Sequence, residues 1–206
     1  MIDSSRILLV EGSDDLHVIS SLLMYHGVPQ LFDIQQKGGI ERILELLPVQ
    51  LKATGIERLG ISVDADEGLQ GRWNAIRRVL ESAGYHDVPT VPFEDGTIVD
   101  EIGHPRVGVW LMPNNRLPGM LEDFARYLIP TGDPLGVRAA TVVAAIPPDE
   151  RRFSDAHDTK AYIHTWLAWQ EDPGTPMGLA ITKRYLNAEA AEAVRFIAWL
   201  EAVFVH

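Results

Sequence analysis

Four carboxylates are spaced for metal-assisted chemistry in this chain of 206 residues. Glu11 and Asp15 fall in the stretch RILLVEGSDD, residues 6–15, and Asp64 and Asp66 fall in GISVDADE, residues 60–67. Oxygen donors of this kind suit hard cations such as Mg2+ or Mn2+, which keep several of their waters and bridge to phosphates. Two such ions about 4 Å apart stabilise the attacking and leaving oxygens of phosphodiester cleavage. Carboxylates gathered without a cation repel one another. Asp14 is expected to be a solvated turn residue.

The elements that must position these acids are short apolar runs. Ile7 to Val10 leads into Glu11, and Ile61 to Val63 leads into Asp64. Runs without alternation mark strands buried on both faces, as in parallel sheets covered by helices. The acids therefore sit at strand ends, on the rim where ligands bind in open α/β sheets. After the first strand (about 6–10), Ser13 or Asp14 is the expected N-cap of a helix with Leu16, Ile19, Leu22 and Leu23 inward, stopped by Gly27. A second strand over 31–36, a glycine turn at Gly38 and Gly39, and a helix over 40–53 follow. The third unit is a strand over 58–63 and a helix over 72–83 with Trp73, Ile76, Val79 and Leu80 on one face. Three successive βα units predict a largely parallel sheet.

From Val88 to Met112 the runs VPTVPF, GTIVDEI and RVGVWLM predict further strands, one of them antiparallel at an edge and the last central. A short helix follows in MLEDFARYLI, with Glu122 and Asp123 in its first turn, where acids complement the helix dipole. Past Pro130 the composition shifts to a helix-like AATVVAAI, then KAYIHTWLAWQ, a loop EDPGTPMG and a last helix over 188–205. The expected organisation is an α/β core over residues 1–130 and a helical appendage over 131–206 packed on it as one compact unit. The last helix, AEAAEAVRFIAWLEAVFV, is so widely apolar that it is expected either in the core or in a homodimer interface.

Composition limits the function classes. The chain has 46% hydrophobic residues, enough for one sizeable core. It has no cysteine, which excludes disulfides, thiolate zinc sites and cysteine nucleophiles. No run approaches the ~18 apolar residues of a membrane span, and a basic opening followed by an apolar segment is lacking, so a cytoplasmic protein with no membrane partner is expected. The net charge of −11 opposes a coat of nucleic acid, whose affinity comes mainly from Lys and Arg; a local basic strip can still guide a substrate. P-loop, GxGxxG and GxSxG motifs are absent, leaving nucleotide hydrolysis, dinucleotide redox and serine hydrolase chemistry without support.

VEGSDD and VDADE, separated by a strand, a glycine turn and a helix, resemble the Toprim signature of topoisomerases, primases and the nucleases of the overcoming-lysogenisation-defect class. The resemblance covers roughly residues 5–130 and implies a Toprim/Rossmann-like mostly parallel sheet flanked by helices. It implies catalysis and metal binding at Glu11, Asp64 and Asp66, with Glu11 as ligand or general base. The nuclease branch implies two further ligands at Asp15 and Glu122, the latter in the pair Leu121-Glu122. Over its whole length the chain also resembles a small bacterial family of uncharacterised Toprim-like proteins, through DTKAYIHTWLAWQEDPGTPMGLAITKRYL.

In that segment Lys160 is either a surface lysine or, as a lysine does in related nucleases, a contact to the scissile phosphate. His164 is expected to be packed. His157 and His164 lack the third ligand of a zinc site. Trp166, Trp169 and Trp199 are expected to pack the appendage on the core. Three functions are compatible with these residues. The first is Mg2+- or Mn2+-dependent phosphodiester chemistry on nucleic acid, of nuclease or nicking type. The second is a non-catalytic cation-binding module acting through a protein partner. The third is a phospho-accepting receiver, against which stand Glu11 at the first strand end and a pair of aspartates at the third.

Overall fold

The computed structural model describes residues 3–206. Five strands form one sheet: β1 (Asp3–Val10), β2 (Phe32–Gln36), β3 (Arg58–Asp64), β4 (Thr97–Val99) and β5 (Arg106–Met112). Their order across the sheet is β2-β1-β3-β5-β4, with β4 antiparallel to β5 at the edge and every other pairing parallel. The fold is therefore α/β, with a mostly parallel sheet flanked by helices.

Alternation along the strands divides the interior into two layers. Ile7, Leu9, Leu59, Ile61, Val63, Val107, Val109 and Leu111 point to one side, where they are covered by α2 (Ile40–Gln50) and α3 (Leu69–Ala83). Leu8, Val10, Trp110 and Met112 point to the other. That side carries α1 (Ser13–His26), α4 (Leu121–Tyr127), α5 (Pro134–Ala144), α6 (Asp158–Ala168), α7 (Met177–Thr182) and α8 (Ala191–Phe204). Burial on both faces explains why the central strands read as unbroken apolar runs.

The C-terminal segment is more than an outer addition. Ala193, Phe196, Ile197, Trp199, Leu200, Val203 and Phe204 of α8 are all buried, and Phe196 and Trp199 pack on Trp110 of β5 with ring centroids 5.1 and 5.7 Å away. Phe204 stacks on Phe32 at 3.9 Å. Of the two settings expected for this helix, its apolar face thus occupies the core of its own chain.

Several local expectations are corrected. VPTVPF forms no strand: Pro89 and Pro92 have no N–H to give a ladder, and the segment is held instead by Trp73 Nε1 donating to the Pro89 carbonyl at 3.0 Å and Phe93 N donating to Thr97 Oγ1 at 2.9 Å. The N-cap of α1 is Gly12, neither Ser13 nor Asp14, because Asp15 reaches back to accept from the Gly12 N–H at 3.0 Å. Helix α5 begins at Pro134 under an Asp133 cap, ahead of AATVVAAI, and α7 starts at Met177, within the last two residues of the expected loop EDPGTPMG, and runs on to Thr182. The turn at Gly38 and Gly39 has φ of 84° and 123°, as a glycine turn requires.

Candidate acidic site at the carboxyl edge of the sheet

β1 and β3 are neighbours, but the chain leaves β1 for β2 on one side and leaves β3 for β4 and β5 on the other. The crevice at their carboxyl ends is a topological switch point, the place where open α/β sheets bind ligands. Glu11 immediately follows β1 and Asp64 ends β3, so both project at that crevice. The backbone N–H of Asp64 donates to Glu11 Oε1 at 2.8 Å. The two strand ends are thus in direct hydrogen-bond contact.

Two more acids close the group. Asp15, on the first turn of α1, is 7% exposed; its Oδ2 accepts from Gly12 N, while its Oδ1 is buried with no hydrogen-bond partner among the described residues. Glu122, on the first turn of α4, is 4% exposed. Helix α4 is held at this position by Asp64 itself, whose Oδ1 accepts from Leu121 N at 2.9 Å.

Asp66 lies slightly apart. It is exposed, sits at φ 50°, and exchanges two backbone hydrogen bonds with Gly119 at 2.9 and 2.7 Å, which ties the β3 turn to the loop before α4. Its carboxylate is paired with Arg72. Gly119, at φ 140°, leaves room for Asp123: a Cβ there would lie 2.6 Å from Asp123 Oδ2, which accepts from Met120 N at 2.9 Å.

The electrostatics follow from crowding and burial. Asp64 is pushed up to about 8, first by loss of water and then by the charges of Asp15, Glu11, Glu122 and Asp66. Asp15 is pushed up to about 7, again first by burial, with Glu11 and Glu122 adding to it and the Gly12 N–H opposing. Glu11 is raised by burial, against the Asp64 N–H and the Arg72 guanidinium. Lys160 Nζ stands 2.9 Å from Glu122 Oε1, and that hydrogen bond raises the lysine above its ordinary value. Five carboxylates thus face two cations, Arg72 and Lys160.

The donor set is all oxygen, which matches a hard divalent ion, and the unpartnered Asp15 Oδ1 is the kind of buried atom that a cation would satisfy. As the side chains stand, among the described residues no three His, Cys, Asp or Glu groups are arranged to hold one metal ion. Glu122 is turned to Lys160 and Asp66 to Arg72.

Of the four acids singled out by spacing, Glu11, Asp15 and Asp64 lie together and Asp66 stands on the flank; Glu122, which only the resemblance implied, lies with them. Lys160 joins them through Glu122. His164 does not pack; it is exposed, as are His157 and Asp14. Trp166 and Trp199 are buried, whereas Trp169 is 39% exposed and does not pack the helices on the core. Sequence reading missed Arg72, whose only signal is its place one turn into the helix that follows Asp66. It also missed the cleft beside Asp66, a space of about 580 Å3 between Ala65, Gly68, Arg72, Gly119, Asp123 and His157. No helix among the described residues is long and apolar enough to cross a membrane.

Comparison with known proteins matches residues 5–205 to the family described as "Protein of unknown function (DUF3226)". No curated protein and no solved structure matches the chain. Over nearly its whole length, and through every element that builds the acidic crevice, the chain belongs to the DUF3226 family.

Proposed function

We propose that the protein performs Toprim-like, Mg2+- or Mn2+-dependent phosphodiester chemistry on nucleic acid, of nuclease or nicking type. The observation that carries this reading is the contact of Asp64 N with Glu11 Oε1 at 2.8 Å, which joins the acids of two strand ends at the switch point of the sheet. Glu11, Asp15, Asp64, Asp66 and Glu122 are the residues that would hold the cation. Once bound, it would polarise the phosphoryl oxygens and lower the pKa of a water.

The chain's own groups supply the rest. Glu11, raised by burial, is suited to take a proton from the attacking water. Lys160 is half exposed at 48% and can turn from Glu122 to a phosphate oxygen without unfolding any element. The cleft beside Asp66, about 580 Å3, has Ala65, Gly68 and Gly119 in its lining and offers space for substrate next to the acids.

The test is incubation of the protein with supercoiled and linear DNA and with RNA, in Mg2+ or Mn2+, alongside Glu11→Ala and Asp64→Ala. Cleavage by the unaltered protein that both substitutions abolish is expected. Cleavage surviving both would remove the acids from the reaction. A second reading, a non-catalytic cation-binding module with a protein partner, is favoured by one feature: Glu11 and Asp64 already bind backbone N–H groups, so the acids also serve as structural ties. Cation binding without cleavage of any nucleic acid would select it.

A further inference from the structure

Beyond the acids, α4 and α6 continue into a groove that the phosphodiester reading does not use. The groove, about 210 Å3, is walled by Arg126, Val143, Arg151, Asp158, Thr159 and Tyr162. Arg126 follows Glu122 by four residues on α4, one helical turn of about 5.4 Å, and Tyr162 follows Lys160 on α6. Besides the Glu122 to Lys160 pair, the same two helices make a second contact: the Arg126 guanidinium lies 5.1 Å over the Tyr162 ring.

The two arginines of the groove differ in charge balance. Arg151 is held by Asp155 at 2.8 Å and Asp158 at 3.3 Å and lies over Phe153, so its charge is largely answered. Arg126 is exposed and makes no ion pair among the described residues. The neighbouring Asp133 is engaged elsewhere, accepting from Leu135 N at 2.8 Å and from Trp166 Nε1 at 2.9 Å. In a chain of net charge −11, an unpaired arginine stacked on a tyrosine beside an open groove is an anion contact with a flat platform. Guanidinium groups bind phosphate through two N–H donors, and aromatic and guanidinium planes stack on unpaired bases. Gly136 keeps the tyrosine seated, since a Cβ there would lie 3.2 Å from the Tyr162 hydroxyl.

We infer that this groove is a strand-binding subsite, in which Arg126 holds a phosphate of a single-stranded nucleic acid and Tyr162 supports the adjacent base. The inference rests on the reading of the neighbouring acids as a phosphodiester site and assigns the direction in which the strand leaves them. It also reconciles that reading with the acidic surface: the contact is local, so binding is modest and depends on few phosphates.

The experiment measures fluorescence anisotropy of labelled single-stranded DNA and RNA oligonucleotides with the full chain, in Ca2+ to withhold cleavage, across a salt series. Arg126→Gln is expected to weaken binding at least ~10-fold and to flatten the slope of log K against log salt by about 0.7, the share of one phosphate on a single strand. Arg126→Lys should keep that slope. Arg126 is exposed, so the variants are expected to keep the unfolding transition of the unaltered protein. Binding by Arg126→Gln equal to that of the unaltered protein overturns the subsite, whatever the acids do. Competition by inorganic phosphate as strong, mole for mole, as by unlabelled oligonucleotide overturns the strand assignment in favour of a free-phosphate site. Arg126-dependent binding in a protein that cleaves no nucleic acid in Mg2+ or Mn2+ overturns the phosphodiester reading alone and keeps the subsite. No oligonucleotide binding at all overturns both.

Discussion

Asp64 gives its backbone N–H to Glu11 Oε1 at 2.8 Å, and its own carboxylate Oδ1 takes the N–H of Leu121 at 2.9 Å. One acid of the candidate site therefore fixes the backbone of the next, and that one fixes the helix that carries Glu122. The same carboxylates are ties between β1, β3 and α4 and the chemical groups of the crevice, so substitutions must separate the two roles.

Glu11→Gln and Glu11→Ala make that separation. The glutamine keeps an oxygen that can accept from Asp64 N, so its urea unfolding midpoint should stay near that of the unaltered protein. The alanine leaves the N–H without its acceptor and should cost about 1–3 kcal/mol. Both should lower the proposed metal-dependent cleavage by at least about 100-fold, the scale of a lost general base. Cleavage retained in the glutamine variant would show Glu11 to be a tie alone.

The crowding of the acids predicts an unusual dependence of stability on pH. Asp15 at about 7 and Asp64 at about 8 titrate above the ordinary aspartate value of 3.8, so between roughly pH 4 and pH 8 the folded chain holds protons that the unfolded chain has released. Stability from these groups is full below the unfolded value and falls as pH rises through the folded one. The thermal midpoint should be higher at pH 5 than at pH 8 in the absence of divalent ions. Mg2+ should restore part of the difference at pH 8 by replacing the protons. Asp64→Asn, which keeps an oxygen for Leu121 N, should gain on the order of 1–3 kcal/mol at pH 8, each pKa unit being about 1.4 kcal/mol. A midpoint that rises steadily from pH 5 to pH 8 would contradict this.

The two strand ends were legible in the sequence because the acids follow directly on apolar runs, and a run of that length places its end at the rim of a buried sheet. The placement of Glu122 against Lys160 was not, since it depends on how α6 packs across α4, which no local pattern encodes. The cap of α1 misled for a local reason: Ser13 is a good N-cap type, but the Asp15 carboxylate already satisfies the Gly12 N–H. Helix α7, with six residues, is too short to show a period. A broad apolar stripe on α8 reads the same whether it meets a sheet or a second subunit, and the deciding residues lie elsewhere, on the strands it covers.

At the other end of the sheet, Arg6 and Arg58 are register partners on β1 and β3 and donate to the last carbonyls of α8, Arg6 Nη1 to Phe204 O at 2.7 Å and Arg58 Nη1 to Val203 O at 2.6 Å. They satisfy carbonyls that a helix end leaves open and complement its negative pole. Arg58→Ala should lower stability by about 1.5–3 kcal/mol, the range for a hydrogen bond to a charged group, in urea unfolding. Because the candidate site lies at the opposite end of the strands, the proposed cleavage per folded molecule should be unchanged. A loss of activity larger than the loss of folded protein would tie α8 to the crevice in a way these contacts do not.

Gly60 and Gly108 are paired in register on β3 and β5 and form the floor on which α8 rests. A Cβ at Gly60 would lie 2.7 Å from both Leu8 Cδ1 and Phe204 Cζ, and one at Gly108 would lie 2.3 Å from Val203 Cγ2. Neither separation is tolerable, so Gly108→Ala must push α8 off the sheet or force Val203 from its place, at a cost of about 1–3 kcal/mol or more. Val203→Ala alone removes buried methyls and should also destabilise. Combined, the added methyl enters the space the valine vacates, and the pair should be less harmful than the sum of the two, with a coupling of about 0.5–3 kcal/mol. Urea unfolding of the two single variants and the double variant measures this. Simple additivity would mean that α8 does not sit on these glycines, and with it the burial of Trp110, Phe196 and Trp199 would need another explanation.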